Sequence, residues 1–283
     1  MSEENPFGKL LADVAEASAK SNCVNPGDYQ IDGLWYCGKC RTPKQIRRML
    51  NGEPFEPFCL CECEQQRRKD EDRERRARYR AIEIEETRRR AFALGQLRDC
   101  TFEKDIPEND RVSKVAHRYA EHFPLMLENN KGIMFYGPVG TGKSFYAACI
   151  ANAVIDAGFS VYVTSFPHLA KSLTTLSADK EDILERLAEY DLLVLDDYGT
   201  ERDTSYMREI EHTVLDTRMS AGKPMIITTN YTKSDFEGGE NTDHTRMISR
   251  ILSVCVPVQV DGNDRRRKQA KADYGKVKDL LGL

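Results

Sequence analysis

Gly132-Ile-Met-Phe-Tyr136, followed at once by Gly137-Pro138-Val139-Gly140-Thr141-Gly142-Lys143-Ser144, decides the fold of this chain. The first five residues read as a short buried strand. The next eight are a complete G-x-x-x-x-G-K-S, and residues 145–158 have the composition of a helix. Strand, glycine loop and helix in that order build a cradle for phosphate. The glycines let backbone N–H groups curl around phosphate oxygens, and the helix beginning near Lys143 offers its positive end. Lys143 is expected to reach the β- and γ-phosphates of a nucleoside triphosphate, and Ser144 to ligate magnesium. A chance glycine-rich turn is the alternative, and the flanking strand and helix weigh against it.

Working outward, Leu192-Leu-Val-Leu-Asp196-Asp197 is an apolar run ending in two carboxylates. Asp196 is placed to hold the magnesium shell and Asp197 to polarise the attacking water, although an aspartate reaches less far than a glutamate. An acidic pair is often just a strand end; its position after the phosphate loop is what gives it meaning. Met225-Ile-Ile-Thr-Thr-Asn230 ends in an amide at the carboxyl edge of a strand, where open α/β sheets bind ligands, so Asn230 fits a sensor of the γ-phosphate; a turn-forming Asn is the rival reading. Arg246 and Arg250 are a helical pair at spacing four, either a catalytic arginine or a surface salt bridge. With strands expected at 132–136, 160–165, 192–196, 225–229 and 254–260 and helices between them, the pattern is an α/β fold, a five-stranded parallel sheet flanked by helices.

This ordered set resembles the AAA+ ATPases, and more closely the DnaC-like (DnaC, DnaI and IstB-type) group of helicase loaders and transposition ATPases. The resemblance covers residues 97–283. It implies an ATP-hydrolysing domain in which 137–144 is Walker A, Asp196 and Asp197 are Walker B, Asn230 is sensor one and Arg250 is the arginine finger. Arg266 is implied as sensor two, with Arg265 possible, because Gly262-Asn-Asp-Arg265-Arg266-Arg267 departs from the family's stretch there. The tail after the last strand is shorter than a helical lid or a helix-turn-helix requires. The implied function is ATP-dependent loading of the hexameric replicative helicase onto single-stranded DNA by a homo-oligomer, with hydrolysis timing release. The alternatives are an IstB-like ATPase that activates a transposase, and an ATP-binding assembly factor with little turnover.

Nine cysteines occur, and five crowd between Cys37 and Cys63. Cys37-Gly-Lys-Cys40 and Cys59-Leu-Cys61-Glu-Cys63 supply enough thiolates for one tetrahedral zinc. Cys59 with Cys63 has permitted spacing, but the resemblance, in which such modules end in C-x-C-E, favours Cys37, Cys40, Cys61 and Cys63. A redox C-x-x-C would need a βαβ context that is missing here. Cys23, Cys100, Cys149 and Cys255 read as structural. Residues 1–63 are therefore expected to form a zinc-binding, helicase-interacting domain, 64–96 a charged linker helix and 97–283 the ATPase domain.

The linker carries Glu71 and Arg75, Asp72 and Arg76, and Glu74 and Arg78 at the favourable spacing of four. Its arginines read either as a solvated face or as a contact for nucleic acid or a helicase. A first helix near Asn5, Pro6, Phe7, Leu10, Leu11 and Val14 is expected to cover the cysteine module or dock on a partner. Phe166, His168 and Lys171 are either an ordinary helix start or a DNA contact.

The 283 residues leave room for about two domains. With 42 Lys and Arg against 46 Asp and Glu, the net charge of −4 confines any nucleic-acid contact to local patches. No signal-peptide pattern and no apolar run of membrane-spanning length occur, so a cytoplasmic protein with no membrane partner is expected.

Overall fold

The computed structural model describes residues 23–50, 52–93, 95–105, 110–175, 180–200, 204–237, 243–262, 264 and 265, and the single positions 274, 278 and 281. The helix expected near Asn5, and Arg266, lie outside the described residues. The chain forms two compact units, Met1–Ala81 and Ile82–Leu283.

In the first unit, two short antiparallel hairpins carry the cysteines: β1 (Tyr29–Ile31) with β2 (Leu34–Tyr36), and β3 (Arg48–Leu50) with β4 (Glu53–Phe55). Among its described residues only Cys37, Lys44, Gln45 and Cys61 are buried, and none of these is aliphatic or aromatic. Helix α1 (Glu62–Ala91) begins at the last cysteines, and the boundary between the units falls within it. Its charges pair locally, but not as the spacing predicted. Arg75 bonds Asp72 and Glu71 bonds Arg67, because each guanidinium takes whichever carboxylate three or four residues away it reaches first.

The second unit holds helices α2 (Asp110–Glu121), α3 (Phe123–Glu128), α4 (Lys143–Asp156), α5 (Phe166–Thr175), α6 (Lys180–Glu189), α7 (Ser205–Ser220), α8 (Lys233–Glu237) and α9 (Asp243–Val254). They cover a sheet of β5 (Gly132–Tyr136), β6 (Val161–Ser165), β7 (Leu192–Tyr198), β8 (Met225–Thr229) and β9 (Cys255–Gln259). All strands are parallel, in the order β6-β7-β8-β5-β9. The expected five-stranded parallel sheet is thus present, and each expected strand has its counterpart.

Continuous apolar strands suit this sheet because both faces are buried. Ile133, Phe135, Leu192, Val194 and Ile226 face a core shared with α2 and α4, while Met134, Leu193, Leu195, Met225 and Ile227 face one shared with α5, α7 and α9. Period-two alternation sends neighbours to opposite sides. Phe166 belongs to the second core at 0% exposure, and Ser165 Oγ accepts from His168 N at 3.3 Å, so this stretch has the features of an ordinary helix start. Arg218 is fully buried, donating to the carbonyls of Leu187 (2.8 Å), Tyr190 (2.6 Å), Asp191 (3.1 Å) and Pro224 (2.8 Å). It thereby ties the end of α6 to the starts of β7 and β8. Burial lowers its pKa to about 10, which leaves it charged at neutral pH.

Candidate functional site

Strand order assembles the site. β7, β8 and β5 are consecutive neighbours, so Asp196 and Asp197, then Asn230, then the 137–144 loop leave the sheet side by side at its carboxyl edge. Gly137, Gly140 and Gly142 have φ of 133°, 83° and 100°, and a Cβ on Gly137 would stand 2.7 Å from the Val260 carbonyl. The loop can pass β9 this closely only with glycine there. Thr141 Oγ1 donates to Pro138 O at 2.9 Å. Lys143, only 6% exposed at the first turn of α4, donates to Gly137 O (2.9 Å) and Pro138 O (2.7 Å), which holds its ammonium against the loop. Ser144 is the second residue of the same helix and is half-buried. Val139 is exposed at the loop's tip.

Asp196 is buried and accepts from Thr228 Oγ1 at 2.5 Å. The same hydroxyl accepts from Asp197 N at 3.0 Å. One threonine of β8 therefore contacts both members of the acidic pair, and in the sequence it is one of two threonines that close an apolar strand. Between Leu195 and Tyr198 the register with β8 shifts, and Asp197 takes φ 54°. Aspartate tolerates this left-handed conformation better than most residues, and the bulge leaves its side chain exposed while its neighbours are buried. Asn230 follows β8 directly and is half-buried.

Arg265, the alternative to Arg266 in the sequence, lies against the phosphate loop. Its N–H donates to Gly140 O at 2.9 Å, its guanidinium stands 5.6 Å from the Tyr146 ring centroid, and Nη2 donates to the Tyr146 hydroxyl at 3.3 Å. The Tyr146 hydroxyl donates in turn to Asp105 Oδ1 at 3.2 Å, and the Arg265 Nη1 is 3.8 Å from that oxygen. Burial raises the Tyr146 pKa while Arg265 opposes the shift. Asp105 and Tyr146 were not singled out in the sequence, where no local pattern marks them. Arg250, on α9, pairs with Asp216 of α7 within the same chain, and Arg246 is exposed on the same helix.

The first unit carries a separate cluster. The Sγ atoms of Cys37, Cys40, Cys61 and Cys63 all lie within 4.8 Å of one another, with Cys37 to Cys63 at 3.6 Å and Cys61 to Cys63 at 3.4 Å. A tetrahedral zinc with ~2.3 Å bonds needs sulfurs about 3.8 Å apart, so this donor set fits. Cys59 stands outside the cluster, its thiol directed to Pro43 O at 3.5 Å.

The four thiols do not ionise alike. Thr42 and backbone N–H groups draw Cys40 down to about 5, whereas Cys63, beside Cys61 and Cys37, is pushed up to about 12. A divalent cation would relieve that mutual repulsion. Asp28 supports the knuckle by accepting from Asn25 N at 2.7 Å, from the buried Lys44 ammonium at 2.5 Å and from Gly38 N at 3.0 Å; burial pushes its pKa up, but these contacts together hold the carboxyl below its usual value. A Cβ on Gly38 would come within 2.0 Å of Gly27 O, so only glycine lets the knuckle close.

Comparison with known proteins agrees with this geometry. A family model described as IstB-like ATP binding protein matches residues 96–273. The chain is 30% identical over 181 residues to the replicative helicase loader DnaI of Bacillus subtilis (strain 168), covering 59% of this chain and 58% of that protein. It is 28% identical over 157 residues to the replicative helicase loader DnaC of Escherichia coli (strain K12), covering 53% and 63%. The matches therefore span less than two thirds of either relative. A crystal structure of the DnaC helicase loader aligns with TM-score 0.50 at 22% identity over 57% of this chain and 97% of that one, and one of DnaI with TM-score 0.50 at 24% identity over 58% and 92%. At these identities the likeness is one of fold. Among the described residues no helix is long and apolar enough to cross a membrane.

Proposed function

We propose, from the premise that the chain belongs to the IstB-like ATP-binding protein family, that it is an ATPase that loads the replicative hexameric DNA helicase onto single-stranded DNA. The observation that carries the nucleotide chemistry is the row formed by the phosphate loop, the Thr228-anchored acidic pair and Asn230 on three adjacent strand ends. The helicase enters through the relatives, both named replicative helicase loaders.

In this reading the loop N–H groups and Lys143 hold the β- and γ-phosphates of ATP. Ser144 and Asp196, a hydroxyl and a carboxylate, form the hard oxygen set that would hold magnesium, which neutralises phosphate charge when bound. Asp197, lifted out of the strand by its bulge, orients the attacking water and accepts its proton, while Asn230 reports on the γ-phosphate. Arg265 is the described arginine placed at the loop; Arg266 is the neighbouring candidate for the same role. Arg250 acts on the nucleotide of an adjacent subunit, so the working form is a homo-oligomer. Cys37, Cys40, Cys61 and Cys63 hold a structural zinc, residues 1–63 contact the helicase, and 64–96 join them to the ATPase at 97–283. Hydrolysis times release, and the protein works in the cytoplasm.

Lys143→Ala removes the cation from the loop and is expected to abolish ATP binding. Asp197→Asn keeps the loop intact and is expected to bind ATP with parental affinity while single-turnover hydrolysis stops. Equal loss of nucleotide affinity in both variants contradicts the assigned roles.

A further inference from the structure

The linker helix distributes its charges unevenly. In α1, Arg67 bonds Glu64 at 2.6 Å and Glu71 at 3.0 Å, Arg68 stands 3.6 Å from Glu64, and Arg75 bonds Asp72 at 2.6 Å. Of the cations left over, Arg78 and Arg89 fall on the opposite side of the helix, and Lys69, Arg73, Arg76 and Arg80 form a set of their own. Among the described residues none of these four has a carboxylate within ion-pairing distance, and all four are exposed.

Their spacing of four, three and four puts them on one face. At 3.6 residues per turn they fall in a sector about 60° wide and span about 16 Å of helix axis. No Asp or Glu enters that sector between Lys69 and Arg80, although Asp70, Glu71, Asp72 and Glu74 lie in the same stretch. Like charges three and four residues apart oppose helix formation, so the arrangement loses stability in the free chain and gains it only against a polyanion. Residues three and four apart on a helix have Cβ atoms about 5–6 Å apart, less than the ~8 Å Debye length of physiological salt, so salt does not fully screen these cations from one another.

We propose that the Lys69, Arg73, Arg76 and Arg80 ridge binds the phosphate backbone of DNA. A linear row of point cations matches a linear row of phosphates, and Tyr79, 68% exposed and three residues beyond Arg76, offers a ring on which a base stacks. An acidic protein surface would use the cations but gives that aromatic ring no role. The inference rests on the reading that the protein works on DNA, and it assigns part of that contact to the linker.

The test is fluorescence anisotropy of the full chain on labelled oligo(dT) of about 20 nucleotides and on a duplex of about 20 base pairs, at salt from about 50 to 200 mM. The variant carries Lys69→Gln, Arg73→Gln, Arg76→Gln and Arg80→Gln. The control carries Arg67→Gln and Arg75→Gln, which remove cations already held by carboxylates. Circular dichroism verifies that both keep the helix.

Four phosphate contacts contribute a slope of log affinity against log salt of about 3 on a single strand, at about 0.7 each. The variant is expected to lose most of that slope while the control keeps it, and the substrate on which the slope falls identifies the strand form. A parental slope in the variant, with the parent binding well, overturns the ridge assignment and leaves the DNA reading standing. Failure of the parent to bind either substrate overturns both, and unchanged DNA binding with lost helicase binding makes the ridge a protein contact and also overturns the inference.

Discussion

Arg250→Ala is expected to bind ATP like the parent, stay folded and lose about 10³–10⁵-fold in hydrolysis rate, or roughly 4–7 kcal/mol of transition-state stabilisation. The expectation follows from its helix, which lies between Asn230 and the final strand, and from its pairing. Within its own chain Arg250 is engaged by Asp216, and the two side chains are 42% and 50% exposed. A surface pair of this kind is worth ~0–1 kcal/mol, so leaving it for a neighbouring subunit's nucleotide opposes the finger role only weakly. Asp216→Asn therefore retains turnover. Mixing Arg250→Ala with Asp197→Asn should restore activity at interfaces where an intact arginine meets an intact aspartate, and Arg246→Ala, on the exposed side of α9, is the control. Parental hydrolysis by Arg250→Ala at concentrations where the parent assembles would reduce the residue to a surface partner of Asp216.

The second large effect is the metal. The first unit buries only Cys37, Lys44, Gln45 and Cys61 among its described residues. The described residues of this module supply little hydrophobic stabilisation to set against chain entropy, whereas a structural zinc contributes an apparent ~10–16 kcal/mol. Protein purified without chelators should hold one zinc per chain by elemental analysis. Chelation should abolish the amide protection of residues 28–63 while the ATPase unit keeps its own. The cluster geometry divides the cysteines: Cys61→Ser loses the metal, and Cys59→Ser, whose thiol is turned to Pro43, keeps it. A zinc-free protein with a protected first unit would contradict the assignment.

Much of this architecture is written locally. β5 and β8 have the limits predicted for them, because strands buried on both faces read as near-continuous apolar runs, Ile133-Met-Phe and Met225-Ile-Ile here, bounded by polar or glycine residues. The glycine loop, the acidic pair and Asn230 are legible for the same reason, each being a short pattern at a strand end. Long-range contacts leave no such trace. Arg265 and Tyr146 are 119 positions apart, and nothing in either neighbourhood announces the other. Asp28 and Lys44 brace the cysteine knuckle through an ion pair that only the folded hairpins create. The bulge at Asp197 was also hidden, since Leu192-Leu-Val-Leu-Asp-Asp reads as an unbroken strand and only its register against β8 reveals the extra residue. The ion pairs of α1 differ from the expected set because spacing three competes with spacing four, as at Arg67 and Arg75.

The central claim, that ATP turnover by this protein places a helicase on DNA, is tested most directly by loading. The replicative helicase of the same cell is offered closed circular single-stranded DNA coated with single-strand-binding protein, and DNA-bound helicase is measured after gel filtration. The account predicts that helicase joins the circle when the parent protein and ATP are present, and that it does not join with Lys143→Ala. With Asp197→Asn it should stay bound to the loader without being released as an active helicase. Loading that proceeds equally with the parent, with Lys143→Ala and with no added protein would contradict the claim.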